Sequence, residues 1–205
     1  MNAFIPLFCL GLSMTSVLAK TSTVLVLGDS LSAGYGLKRS AAYPSLLLEK
    51  AKAAGVNLTV LNAGVSGDTT AGGLRRLPAL LHHHIDVLVL ELGINDAFRG
   101  VPVAQIEANL QTIIDRTKKR YPDVRIVIVG MQLPQISGDE YLSAFGAMFP
   151  ELARRNQAAL VPFLLRGVAG DPSLNQSDLL HPNVSGQKIL ADNVWPVLES
   201  VLKKS

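Results

Sequence analysis

Three residues of complementary chemistry stand far apart along this chain. Ser30 lies in a Gly28-Asp29-Ser30-Leu31 turn directly behind the apolar run Val24-Leu25-Val26-Leu27. Asp178 and His181 lie three residues apart in Asp178-Leu179-Leu180-His181-Pro182, near the other end. A serine hydroxyl is a weak nucleophile until an imidazole takes its proton, and a carboxylate holds the imidazole in the right tautomer and orientation. If the three meet in space, they supply the nucleophile, base and orienting acid of a serine hydrolase. Taken alone, an Asp-Ser pair after a strand is more often a turn or a helix cap. Asp178 with the following Pro182 also suits a capped helix start.

These groups can meet only if the surrounding elements bring their loops to one edge. Apolar runs at 23–27, 57–61, 85–92, 125–129 and 160–163 read as strands. The third is nearly continuous, as expected when both faces of a sheet are covered. Between them, helical periodicity marks 43–54, with Pro44 suited to the first turn and Gly55 ending it. A second helix starts near Asp68-Thr69-Thr70, whose side chains cap well, and runs through Leu74, Leu77 and Leu81. Val103, Ile106, Leu110, Ile113, Ile114 and Thr117 mark a long amphipathic helix. Further helices are expected over 140–155 and 183–202, the last with a kink at Pro196. Alternating strands and helices imply an α/β domain, a three-layer α/β/α fold on a parallel five-stranded sheet. In such sheets the ligand site lies outside the carboxyl ends of the strands.

Each of the first three strands is followed by a polar, glycine-bearing turn: Ser30, then Ser66-Gly67-Asp68, then Gly93-Ile94-Asn95-Asp96. In a flavodoxin-like winding the first strand lies between the second and third. Ser30 is then flanked by Gly67 and Asn95. A glycine lets its N–H approach a substrate oxygen closely, and an Asn amide can add a second donor. The Ser30 N–H, the Gly67 N–H and the Asn95 amide are therefore candidates for an oxyanion hole.

With these residues in place, the chain resembles the GDSL, or SGNH, hydrolase family over essentially its whole length after residue 19. The four letters of the second name correspond to Ser30, Gly67, Asn95 and His181. Within the family it looks most like the periplasmic multifunctional acyl-CoA thioesterase, arylesterase and lysophospholipase group. The segments that carry the resemblance are Leu27 to Gly34, Ser66 to Thr69, Arg76 to Leu81, Glu91 to Asp96 and Asp178 to Pro182. It implies that Ser30 is the nucleophile, His181 the base and Asp178 its orienting acid. It implies no cofactor and no metal, and as substrates small-molecule acyl esters or thioesters, with lysophospholipids among them. Asp29, Asp68 and Asp96 are expected to hold the loops by local hydrogen bonds. Two departures stand out. Ile94 occupies a position where close relatives usually have glycine, and Leu179-Leu180 replaces a commoner glycine-containing pair. A carbohydrate O-deacetylase uses the same machinery and is the alternative enzyme. A non-catalytic flavodoxin-like binding domain is the alternative of another class.

The chain has 205 residues, 48% hydrophobic and 17% charged, which fits a globular domain rather than a disordered segment. Residues 1–19 carry no charged side chain and end in Val17-Leu18-Ala19. They are expected to form a secretory signal peptide, with a hydrolase domain over 20–205 that begins at Lys20 and is periplasmic or secreted. Their apolar run is too short for a stable membrane span. The single cysteine, Cys9, lies in that segment, behind a Phe8 that does not suit a lipoprotein signal. A cleaved chain would then have no thiol for disulfides, nucleophilic attack or metal binding. A net charge of +3 with scattered Lys and Arg does not favour nucleic acid as a partner.

Other motifs read more plainly. His82-His83-His84 has no second ligand group nearby and reads as a solvated helix end. Gly34-Tyr35-Gly36 lacks the lysine of a phosphate-binding loop. Gly72-Gly73 reads as a flexible turn beside the site. Leu133, Pro134, Tyr141, Phe145 and Phe149 are candidates for an acyl crevice, some of them for the core.

Overall fold

The computed structural model describes residues 21–133 and 140–204. The expected signal segment and Pro134 lie outside the described residues. Five parallel strands form one sheet in the order β2-β1-β3-β4-β5: β1 Ser22–Gly28, β2 Leu58–Asn62, β3 Val87–Glu91, β4 Arg125–Val129 and β5 Ala159–Val161. The expected winding holds, with β1 between β2 and β3. Every residue of β3 is buried, as its unbroken apolar run requires. Pro162 follows β5 directly and has no N–H with which to continue the ladder.

Helices α2 (Tyr43–Ala53) and α7 (Val184–Leu202) pack against each other. Helices α3 (Thr70–Leu80), α5 (Val103–Arg120) and α6 (Glu140–Asn156) pack side by side as a second group. Local chemistry sets their ends. The Thr69 side chain caps α3 by accepting from Gly72 N–H at 3.1 Å, and Asn183 caps α7 by accepting from Ser185 and Gly186 N–H. Gly55, at φ 69°, ends α2: its N–H donates to Lys52 O and that of Val56 to Ala51 O, the paired bonds of a left-handed helix stop. Helix α7 continues through Pro196 to Leu202.

Two short helices escape a reading by periodicity because neither completes two turns. Helix α1, Ser30–Ala33, follows β1, and α4, Ile94–Phe98, follows β3. Both open at the carboxyl edge of the sheet. The pair Gly72 and Gly73 lies inside α3 and is buried, which corrects the expected turn. A Cβ at Gly72 would overlap Asp68 Oδ1, and one at Gly73 would overlap Leu92 Cδ1, so these glycines serve close packing. Among the described residues no helix is long and apolar enough to cross a membrane.

Candidate active site

Ser30 is the first residue of α1, and Asp29 caps that turn with Oδ1 accepting from Leu31 N–H at 3.0 Å. Gly34, at φ 73°, closes it by donating to Ser30 O. The serine is thereby fixed at the sheet edge, only 9% exposed. Its Oγ stands 3.0 Å from His181 Nε2, and His181 Nδ1 stands 2.7 Å from Asp178 Oδ2. The other Asp178 oxygen accepts the backbone N–H groups of Leu180 and His181, each at 2.9 Å. These bonds, with that from the His181 ring, hold the Asp178 carboxyl at about 2, below its ordinary 3.8. The imidazole is thus oriented by a carboxylate that its own loop keeps ionised and aimed.

That loop has a cost written in its backbone. Leu179 adopts φ 57°, a left-handed conformation that glycine takes without strain. This accounts for the glycine expected in the Asp178–His181 interval. Leu179 and Leu180 are more than half exposed and line the rim of the cleft beside His181.

Gln176, which the sequence did not single out, joins the two halves of the site. Its backbone N–H donates to His181 O at 2.8 Å, and its side chain donates to Tyr35 O at 2.7 Å and to Pro182 O. Gly36 gives it room, since a Cβ there would overlap Gln176 Oε1. The Tyr35 ring lies against that of His181, with centroids 4.5 Å apart.

On the other flank, Asn95 Nδ2 donates to Asp29 Oδ2 and to Asp68 O, both at 3.0 Å. Gly67, adjacent to Asp68, has φ 76°, and its carbonyl accepts from the Arg99 guanidinium at 2.9 Å. The backbone N–H groups of Ser30 and Gly67 have no partner among the described residues. The aspartates hold the loops by the expected local bonds, Asp29 accepting from Leu31 N–H and Asp68 from Thr69 N–H, and also by bonds to residues farther along the chain. Asp29 binds Asn95, while Asp68 pairs with Arg76, which also donates to Gly28 O. Asp96 accepts both the N–H and the O–H of Thr70. Chain crossings of this kind cannot be read from a motif.

Beneath Ser30 lies a second acidic group. Glu91 is fully buried, and its Oε2 meets the Asp29 N–H at 3.2 Å and Ser32 Oγ at 2.6 Å. Ser32 Oγ also meets the Tyr43 hydroxyl at 2.9 Å. Burial pushes the Asp29 carboxyl up to about 6, against the opposing Leu31 hydrogen bond. Burial, and then the Asp29 charge, push Glu91 well above the usual carboxylate range.

A cleft of about 550 Å³ opens on Ser30, Asn95 and His181. Its apolar walls include Ile94, Phe98, Met131, Leu133, Phe163 and Leu165. Of these, Leu133 is the expected crevice residue. Tyr141, Phe145 and Phe149 do not line it. Phe145 and Phe149 are core residues, packed edge to face at 5.2 Å beneath Gly93, and the Tyr141 hydroxyl donates to Val101 O. Helical periodicity marks a buried face, not which cavity that face borders. Phe163 and Leu165, just past β5, were missed because nothing in their local pattern marks a wall. The His82–His84 run is exposed beyond the end of α3. His84 lies 3.4 Å from Asp86 and edge-on to Tyr121.

A parallel sheet wound in this order, with a serine, an imidazole and a carboxylate in one hydrogen-bonded line at its carboxyl edge, defines the class of flavodoxin-like serine hydrolases. The chain belongs to the GDSL-like lipase/acylhydrolase family, whose pattern matches residues 26–189. It is 40% identical over 203 residues to esterase TesA of Pseudomonas aeruginosa, covering 98% of this chain and all of that protein. It is 41% identical over 175 residues to thioesterase 1/protease 1/lysophospholipase L1 of Escherichia coli K12, covering 85% of this chain and 82% of that protein. The crystal structure of the psychrotrophic esterase EstA from Pseudoalteromonas sp., inhibited by monoethylphosphonate, superposes with a TM-score of 0.82 at 32% identity, covering 89% of this chain and 99% of that one. This chain is accordingly a hydrolase of ester or thioester bonds in small acyl substrates.

Proposed function

We propose that the chain is an exported fatty-acyl esterase and thioesterase that works through an acyl-serine intermediate, with lysophospholipids among its substrates. Ser30 attacks the acyl carbonyl carbon while its proton passes to His181 Nε2. The carbonyl π pair moves onto oxygen, which the Ser30 N–H, the Gly67 N–H and the Asn95 amide stabilise. Both Asn95 donors are engaged, one by Asp29 and one by Asp68. The oxyanion therefore takes a share of one of these bonds as it forms. Collapse expels the alkoxide or thiolate, which takes the proton from His181. Water, activated by the same imidazole, then releases the acid and regenerates Ser30. Asp178 keeps the ring in register throughout. The chemistry calls for no metal or organic cofactor.

The observation that carries this reading is the unbroken line from Ser30 Oγ through His181 to Asp178, opening on an apolar cleft. The cleft walls favour an acyl chain over a sugar platform. The test is a rate panel of acyl esters from acetyl to palmitoyl, with matching thioesters and a lysophospholipid, and, on a separate sample, labelling by a phosphonate ester. Labelling of Ser30 alone and a preference for medium or long chains are expected. Preference for acetyl esters points to the deacetylase alternative, and labelling elsewhere removes Ser30 from its role. Export rests on the uncharged apolar start and Val17-Leu18-Ala19. N-terminal sequencing of the mature protein should begin at Lys20, and an intact Met1 in the cytoplasm overturns it.

A further inference from the structure

Two carboxyl groups, Asp29 and Glu91, are fully buried side by side under the nucleophile, bridged by the Asp29 N–H to Glu91 Oε2. Neither forms an ion pair among the described residues, and Arg76, the cation nearest in the network, is taken by Asp68 and Gly28 O. Two uncompensated anions at such a spacing cannot both persist away from water. The contacts differ between the two. Asp29 gathers donors on both oxygens: Leu31 N–H on Oδ1 and Asn95 Nδ2 on Oδ2. All of Glu91's contacts fall on Oε2, and Oε1 is buried with no partner. A carboxylate charge is supported at Asp29 and not at Glu91.

We infer that Glu91 is held as a neutral carboxylic acid and is a positioning residue for hydrolysis, leaving one negative charge on Asp29 that aims the Asn95 amide and the Ser30 turn. The inference rests on the roles given above to Ser30 and Asn95. Around the pair, the titratable neighbours are Tyr43 from α2, through Ser32, and His181, whose charged form favours ionised Asp29. Burial and the neighbouring Asp29 charge both act to keep the Glu91 proton in place. Gly28 belongs to the same device. It pairs with Glu91 across β1 and β3, and a Cβ there would overlap both Glu91 Oε2 and Ser32 Oγ. The glycine beside the nucleophile is thus a requirement of the acid beneath it.

The test compares Glu91→Gln, Glu91→Leu and Asp29→Asn. Gln is the neutral isostere and should leave kcat and its pH profile near wild type. Leu removes the acceptor for the Asp29 N–H and should lower kcat by roughly 10–100-fold with a smaller change in KM, as loss of an orienting partner does elsewhere. Asp29→Asn should lower kcat similarly. Should Glu91→Leu fail to fold, the Gln and Asn variants still decide. Independently of activity, infrared difference spectra at neutral pH should show a protonated-carboxyl C=O stretch that disappears in Glu91→Gln. A silent Asp29→Asn with an impaired Glu91→Gln would place the charge on Glu91 and overturn the inference, as would absence of that band. If the infrared band is present but Ser30→Ala retains activity, the reading of the site fails while the neutral acid stands.

Discussion

Asn95 Nδ2 stands 3.0 Å from Asp29 Oδ2, so the carboxylate that caps the serine's own turn also orients the amide on the far side of Ser30. The two residues are 66 positions apart and lie on loops after β1 and β3, the neighbouring strands of the sheet. Asn95→Ala removes the amide and should lower kcat by roughly 10²–10³, about 2.7–4 kcal/mol, the range for one lost oxyanion donor. Steady-state kinetics on a soluble ester decide it. A change confined to KM would make Asn95 a binding residue instead.

Acid–base behaviour follows from Asp29 and Asp178, which are shifted in opposite directions. Asp29 keeps its proton in the folded state up to about 6, whereas an ordinary carboxyl loses it at 3.8. The folded state therefore binds more protons in this window, and the Asp29 contribution to stability falls as pH rises through it. Asp178 is the reverse. Its contribution is present above 3.8 and is lost as pH falls towards about 2, damped by solvent at this partly exposed site. Thermal melts across pH should show the first slope flattened in Asp29→Asn and the second in Asp178→Asn.

Leu179 tests the strain in the His181 loop. Glycine there relieves a left-handed conformation that costs about 1–2 kcal/mol, offset by about 0.5–1 kcal/mol of lost chain entropy. Leu179→Gly should therefore shift stability little, while Leu179→Val, with a branched Cβ at positive φ, should destabilise and lower kcat by displacing His181. Equal melting temperatures for the two variants would show that the φ of 57° carries no penalty.

Phe163 and Phe145 separate the cleft from the core. Phe163 lines the cleft and is half-buried; Phe145 is sealed beneath Gly93. Phe163→Ala should weaken long acyl substrates more than short ones, since each buried methylene contributes up to about 0.8 kcal/mol. Phe145→Ala should cost about 3–5 kcal/mol of stability with no chain-length signature. Chain-length profiles and denaturation curves of both variants check the contrast, and an unaltered profile in Phe163→Ala would show that the acyl chain lies elsewhere.

Ile94 borders both Asn95 and the cleft and is 9% exposed. Ile94→Gly should widen the crevice and raise kcat/KM for bulky acyl groups, with little effect on acetyl esters. A profile unchanged across the panel would reduce Ile94 to packing.

What could be read along the chain was whatever local chemistry dictates. Continuous apolar runs gave β1 and β3, since a strand covered on both faces needs no alternation. The capping run Asp68-Thr69-Thr70 and the stop at Gly55 set helix ends, because backbone donors and acceptors there need partners within a few residues; the cap of α7 fell to Asn183 rather than to Asp178. Ser30, Asp178 and His181 could be proposed together because nucleophilic chemistry calls for those types and because Asp178 and His181 share one turn. Tertiary structure alone decided the rest. The distance from Ser30 to His181, the two partners of Asn95, and the burial of Glu91 against Asp29 depend on strand order and register, which join residues distant in sequence. The same holds for the cleft. Phe145 and Phe163 are both apolar and local patterning cannot rank them, because a wall and a core differ only in what stands on the other side.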